Sequence, residues 1–254
     1  MPSDEYKNIL ELLDSMPDNS GLTFEEQRAD FEQQVAILPV AESVSCEPVS
    51  AGSIAAEWIV PEGAFDGDGM LYLHGGGYCV GSINTHRSMV SHIARAAKTK
   101  ALLIDYRLAP ENPFPAAVED STTVYNWLLS QGIAAGDIVI AGDSAGGGLS
   151  VATLVSLKEK EIPLPTAAVL LSPWVDLEIT GDSIITRADI DPMVTKEGLA
   201  EMAGAYLGNT DPRTPLASPL YAGLEGLPPM LIHVGSAEIL LDDATRMADR
   251  AGQA

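Results

Sequence analysis

Basic residues are scarce in this chain. Fourteen lysines and arginines stand against 36 acids, a formal net charge of −22. A surface that negative repels phosphate backbones and anionic bilayers, which argues against nucleic-acid and membrane partners. Cysteine is scarcer still. Cys46 and Cys79 are the only two, far apart and in no metal-ligand spacing. That suggests neither a disulfide framework nor a zinc site, and the reading is two free core thiols in a reducing cytoplasm. No run is apolar for long enough to span a bilayer. The first fifty residues carry eleven acids and two bases, unlike a transit peptide or the basic start of a secretory leader. No repeat of roughly 20–50 residues is present.

What is present is ordinary globular material. Of 254 residues, 46% are hydrophobic and 20% charged, enough for one large α/β domain with a solvated surface. Residues 3–14 and 23–37 read as two acidic amphipathic helices, with Thr23 and Glu26 spaced as a capping box. Pro17, Asp18, Asn19 and Gly21 mark the turn between them. Two helices ahead of the first strand look like an appended cover over residues 1–39. Strands are expected at 40–49, 54–60, 70–73, 101–104, 138–141, 167–171 and 230–234. Phe65-Asp66-Gly67-Asp68-Gly69 reads as a hairpin-type turn. Helices are expected at 83–98, 116–129, 149–160, 196–207 and 242–251. Strands alternating with helices after an antiparallel start predict a mainly parallel sheet covered on both faces. Residues 180–225 read as a helical insertion within the domain 40–254.

Three stretches carry chemistry. Gly142-Asp143-Ser144-Ala145-Gly146 follows an apolar strand and precedes a helix, the setting of a nucleophile elbow. The turn is too tight for side chains two residues either side of the serine, and the helix start favours developing negative charge. His74-Gly75-Gly76-Gly77 follows another strand. Its glycines allow close backbone approach and can aim N–H groups at an oxyanion. Dinucleotide binding is the competing use, but Val80 occupies the third glycine position of that fingerprint. Glu238 follows the seventh strand. All three lie at the carboxyl ends of strands, where such sheets bind ligands. An Arg107–Glu111 pair is expected to hold the neighbouring loops. His86 and His92 are expected to be surface or packing residues.

The chain resembles the hormone-sensitive-lipase-like bacterial esterases, of α/β-hydrolase fold. The resemblance rests on His74-Gly75-Gly76-Gly77, Tyr106-Arg107-Leu108-Ala109-Pro110-Glu111, Gly142-Asp143-Ser144-Ala145-Gly146-Gly147, Asp191-Pro192-Met193 and Gly235-Ser236-Ala237-Glu238. It implies Ser144 as nucleophile, the N–H groups of Gly76, Gly77 and Ala145 as oxyanion donors, and Glu238 as the acid. Asp242 and Asp243 are the other candidates for the acid. His74 would orient the glycine loop. A cap formed by the two leading helices and residues 180–225 would shape the acyl pocket. The implied substrate is a small-molecule ester of short to medium acyl length, with no metal or cofactor, a cytoplasmic location and a homodimer through the last strand. The similarity of Gly-Asp-Ser-Ala-Gly-Gly to a trypsin-like serine motif is outweighed by the α/β alternation.

One part is missing. In this fold the triad runs serine, acid, histidine. The four histidines are at 74, 86, 92 and 233, and none follows Glu238. We expect that the 254 residues stop short of a natural carboxyl end, lacking a further strand and helix, and that such a chain is nearly inactive. The competing expectation is a non-catalytic small-molecule binder, like the plant gibberellin receptors that resemble this family without the histidine.

Overall fold

A computed structural model describes residues 3–14, 21–65 and 67–254. The turn expected at 17–19 and the Asp66 position lie outside the described residues.

Among the described residues, seven strands form one sheet: β1 (Val44–Ala51), β2 (Ile54–Pro61), β3 (Gly69–Leu73), β4 (Ala101–Ile104), β5 (Ile138–Asp143), β6 (Ala167–Leu171) and β7 (Met230–His233). The order across the sheet is β1-β2-β4-β3-β5-β6-β7. β1 and β2 pair antiparallel, as do β2 and β4; every later pairing is parallel. The tight hairpin joins β1 to β2 through Gly52, at φ +70°. The expected turn at 65–69 is not a hairpin. β2 and β3 are not neighbours, because β4 lies between them. An Asp-Gly turn reverses the chain locally but cannot choose which strand will pair.

Eight α-helices are found among the described residues. They are α1 (Asp4–Asp14), α2 (Phe24–Val35), α3 (Ile83–Ala97), α4 (Ala116–Ser130), α5 (Ala145–Glu159), α6 (Ser183–Thr186), α7 (Lys196–Leu207) and α8 (Leu241–Gln253). The two-residue period of a strand sorts the core. Leu71, Leu73, Leu102 and Ile104 point to one face with residues of α4 and α5. Met70, Tyr72, Ala101 and Leu103 point to the other, against Ile83, Val90 and Ala94 of α3. Every residue of β3 and β4 is buried, as strands covered on both faces must be. Each large apolar side chain so buried stabilises the fold by roughly 1.5–3 kcal/mol.

The Thr23–Glu26 capping box is present at the start of α2. α2 packs against α3 and buries no residue fully. Leu10 and Glu11 of α1 face residues 189–192 across a cleft of about 540 Å³. Cys79 is buried, whereas Cys46 is only half-buried rather than a core thiol.

Candidate active site

The pairing register brings four strand ends into line. Leu73 pairs with Gly142, Asp143 with Leu171, and Leu171 with His233. The glycine loop, the serine and the Glu238 loop all leave from this edge.

Ser144 sits between β5 and α5 at φ 51° and ψ −121°. This is a strained conformation for a residue with a Cβ, and it persists only where the surroundings enforce it. They do so through backbone. The Ser144 N–H donates to the Leu171 carbonyl at 2.8 Å, and its carbonyl accepts from Trp174 N–H at 2.9 Å. A Cβ on Gly142 would lie 2.3 Å from the Gly146 carbonyl oxygen, and one on Gly146 would lie 1.9 Å from that of Leu73. Only glycine fits either place. α5 begins at Ala145, four residues before the expected Leu149. Glycine is a poor helix former, costing about 1 kcal/mol against alanine. Here close packing overrides it: a Cβ on Gly148 would meet the Trp174 carbonyl at 2.0 Å.

The glycine loop folds back over this turn. Gly76 and Gly77 have φ of +109° and +59°. The Gly76 carbonyl accepts from the N–H groups of Cys79 and Val80 at 3.0 and 2.9 Å. A Cβ on Gly77 would strike Met202 Sδ of α7 at 2.0 Å, so α7 roofs the loop. Tyr78 stacks on Tyr206 of the same helix at 3.9 Å between ring centres.

Asp143, the residue before the serine, ties the two stretches together. Its Oδ1 accepts from the Gly75 N–H and the Tyr72 hydroxyl, each at 3.1 Å. Its Oδ2 faces His86 Nε2 at 3.4 Å. Burial pushes the Asp143 carboxyl up, but the His86 hydrogen bond and charge, then His74 and Tyr72, outweigh it and hold the group below the ordinary aspartate range. His74 is fully buried, stacked on Tyr106 at 4.3 Å. Burial first, then the nearby His86, lowers its pKa to about 3. It is therefore a neutral imidazole, and its Nδ1–H donates to the Gly75 carbonyl at 2.7 Å. The Tyr106 hydroxyl donates to the His74 carbonyl at 2.8 Å.

Beyond β7, Glu238 Oε1 accepts from Gly235 N–H at 2.6 Å and from the Ser172 hydroxyl at 2.9 Å. Ser172 directly follows Leu171, whose carbonyl holds Ser144. The other two candidate carboxylates also accept backbone N–H groups. Asp242 Oδ2 accepts from Ser183 N–H at 2.8 Å. Asp243 Oδ2 accepts from the N–H groups of Val175 and Asp176 at 2.8 and 2.9 Å. Burial, against the Val175 bond and with the charge of Asp176, pushes the Asp243 carboxyl up to about 7. Asp191 Oδ2 accepts from Ile239 N–H at 2.8 Å, next to Glu238.

None of the four histidines bonds the Ser144 hydroxyl. His74 is engaged with Gly75, His86 with Thr85 and Asp143, and His92 and His233 are exposed. The expected Arg107–Glu111 pair does not form. Arg107 binds Asp120 and Glu119 of α4 instead, and Glu111 binds Arg28 of α2. Both are loop charges, and the partner each meets is set by the helix that packs beside it. Sequence reasoning also missed Asp143, Met202 and Ser172. Only Asp143 carried a signal, its place beside the serine.

A family model described as alpha/beta hydrolase fold matches residues 70–254. An acetyl-hydrolase of Streptomyces hygroscopicus is 48% identical over 203 residues, spanning 80% of this chain and 68% of that protein. An esterase of Acinetobacter venetianus is 34% identical over 249 residues, spanning 98% of this chain and 82% of its own length. The crystal structure of an esterase from the bacterial hormone-sensitive lipase family superposes with a TM-score of 0.95 at 47% identity, over 100% of this chain and 85% of that one. A hormone-sensitive lipase from a metagenome library gives 0.93 at 41% identity, over 100% and 84%. Among the described residues, no helix is long and apolar enough to cross a membrane.

Proposed function

The chain belongs to the hormone-sensitive-lipase-like esterases of α/β-hydrolase fold, and on that premise we propose that it is a carboxylic ester hydrolase with Ser144 as nucleophile. The observation that carries this is the Ser144 backbone, held at φ 51° between two glycines that no other residue could replace. Ser144 Oγ attacks the ester carbonyl carbon. The carbonyl oxygen becomes an oxyanion and takes hydrogen bonds from the N–H groups of Gly76, Gly77 and Ala145. The alcohol leaves, and water releases the acid from the acyl-enzyme. Glu238 orients the histidine that takes the serine proton, in the manner of triad chemistry. In this reading the leading helices and α7, whose Met202 lies against Gly77, cap the site, and short to medium acyl esters are the substrates that the family resemblance implies.

That histidine is none of the four in residues 1–254. Without a base at the serine, these residues alone should hydrolyse esters about 10⁶-fold more slowly in kcat than a complete triad does. The same observation favours a second reading, a module that binds esters or their acids without turnover. Hydrolysis of p-nitrophenyl butyrate by the natural gene product, with and without Ser144→Ala, separates them. The esterase reading expects the substitution to cost about 10⁶-fold in kcat. Turnover that survives Ser144→Ala overturns it. A gene product that binds butyrate and never turns over is the second reading. Brisk hydrolysis by residues 1–254 refutes the account of the base.

A further inference from the structure

One arginine of the leading helices grips the loop that carries Gly76 and Gly77. Arg28 leaves the middle of α2. Its Nε donates to the Cys79 carbonyl and its Nη2 to the Ala109 carbonyl, each at 2.7 Å. Nη1 and Nη2 also bind the two Glu111 carboxylate oxygens at 3.0 and 2.8 Å. The Cys79 N–H is bonded to the Gly76 carbonyl at 3.0 Å, and Ala109 N–H donates to the Tyr78 carbonyl at 2.9 Å. Arg28 thus joins the far end of the glycine loop to the segment that braces it. A second tie lies just beyond, where the Ser82 hydroxyl donates to Glu32, one helical turn from Arg28.

The ion pair itself contributes little, since the Glu111 side chain is 56% exposed. The two carbonyl bonds carry the geometry. A planar guanidinium fixes two acceptor directions at once, which an ammonium does not. The N–H groups of Gly76 and Gly77 have no side chain to set their direction. It follows from how the peptides on either side are held. Asp143 holds the near side through the Gly75 N–H. Arg28 holds the far side.

We propose that Arg28 is a positioning residue for the oxyanion loop, and that α2 serves this site as a brace as well as a cover. The proposal rests on the esterase reading of the same site. Arg28→Ala in the natural gene product should lower kcat on p-nitrophenyl butyrate about tenfold while KM stays within about twofold, because the donors are misplaced rather than the substrate pocket lost. Amide hydrogen exchange in residues 76–80 should quicken by about tenfold while β5 keeps its protection, a readout that needs no turnover. Arg28→Lys, which keeps the charge and the fold, should recover part of both. Unchanged exchange at 76–80, or a rise in KM with kcat unmoved, overturns the proposal. Should Arg28→Ala fail to fold, unchanged exchange at 76–80 in Arg28→Lys overturns it equally. Turnover that survives Ser144→Ala would remove the esterase reading, and the exchange result would still report the brace.

Discussion

The serine at the end of β5 and the glutamate beyond β7 stand two strands apart in the sheet and are held by different means. Around Ser144 the positions are set by backbone meeting backbone. Gly142, Gly146 and Gly148 each leave no room for a Cβ. Around Glu238 they are set by side chains: Ser172 on Glu238, Asp191 on Ile239, Asp243 on Val175 and Asp176. Burial differs in the same sense. β5 is buried at four of its six residues, whereas Leu231 in β7 is 53% exposed. Steric exclusion acts over ångströms and admits one residue. A hydrogen bond can be made by several, so the surroundings of Glu238 tolerate more change.

Gly146→Ala should break the comparison hardest. Its Cβ would sit 1.9 Å from the Leu73 carbonyl oxygen, backbone that cannot step aside. We expect a loss of about 4 kcal/mol or more in urea unfolding, or no soluble protein. A loss under about 1 kcal/mol would show that the elbow has slack.

The buried Asp243 and the half-buried Asp143 should respond to pH with opposite signs. Asp243 has its pKa raised from 3.8 to about 7. Between those values the folded state holds a proton that the unfolded chain has released, so this group's contribution makes stability fall as pH rises. Asp243→Asn should flatten that slope, a change of roughly 2–4 kcal/mol between about pH 4 and pH 7. A slope identical to the parent's would mean that the two N–H bonds keep Asp243 ionised. Asp143 is shifted the other way. Its stabilisation is present above the ordinary aspartate value of 3.8 and is lost as pH falls through its lower folded value. Asp143→Asn should cost about 1–2 kcal/mol at neutral pH and remove part of the acid limb. Denaturant titrations of both variants from acid to neutral pH would read the two signs side by side.

Glu238→Gln should move stability least. Its amide oxygen can still accept from Gly235 and Ser172, and we expect a change within about 0.5 kcal/mol. A loss near that of Gly146→Ala would erase the distinction between the two sides.

Much of the site was legible because its causes are local. The spacing of Gly142 and Gly146 around Ser144 states a steric requirement that no distant residue alters. The apolar runs at 101–104 and 138–141 read as strands because burial on both faces leaves no other composition. The start of α5 was misplaced because glycine's helix propensity is weak information beside the packing of Trp174 on Gly148. Glu238 ranks above Asp242 and Asp243 by its nearness to the strand end alone, because all three carboxylates accept backbone N–H groups in the structure.

By itself the sequence determined which residues could form the turn, the glycine loop and the strands. These depend on φ, on Cβ volume and on a two-residue period, all written within a few positions. The tertiary structure decided which charges meet. Glu111 binds Arg28 rather than Arg107, Asp143 reaches Tyr72, Gly75 and His86, and Asp243 is buried under residues 175 and 176. An acid carries no mark of its partner. The partner is whichever donor the fold brings within about 3 Å, after burial has made leaving it unpaired too costly.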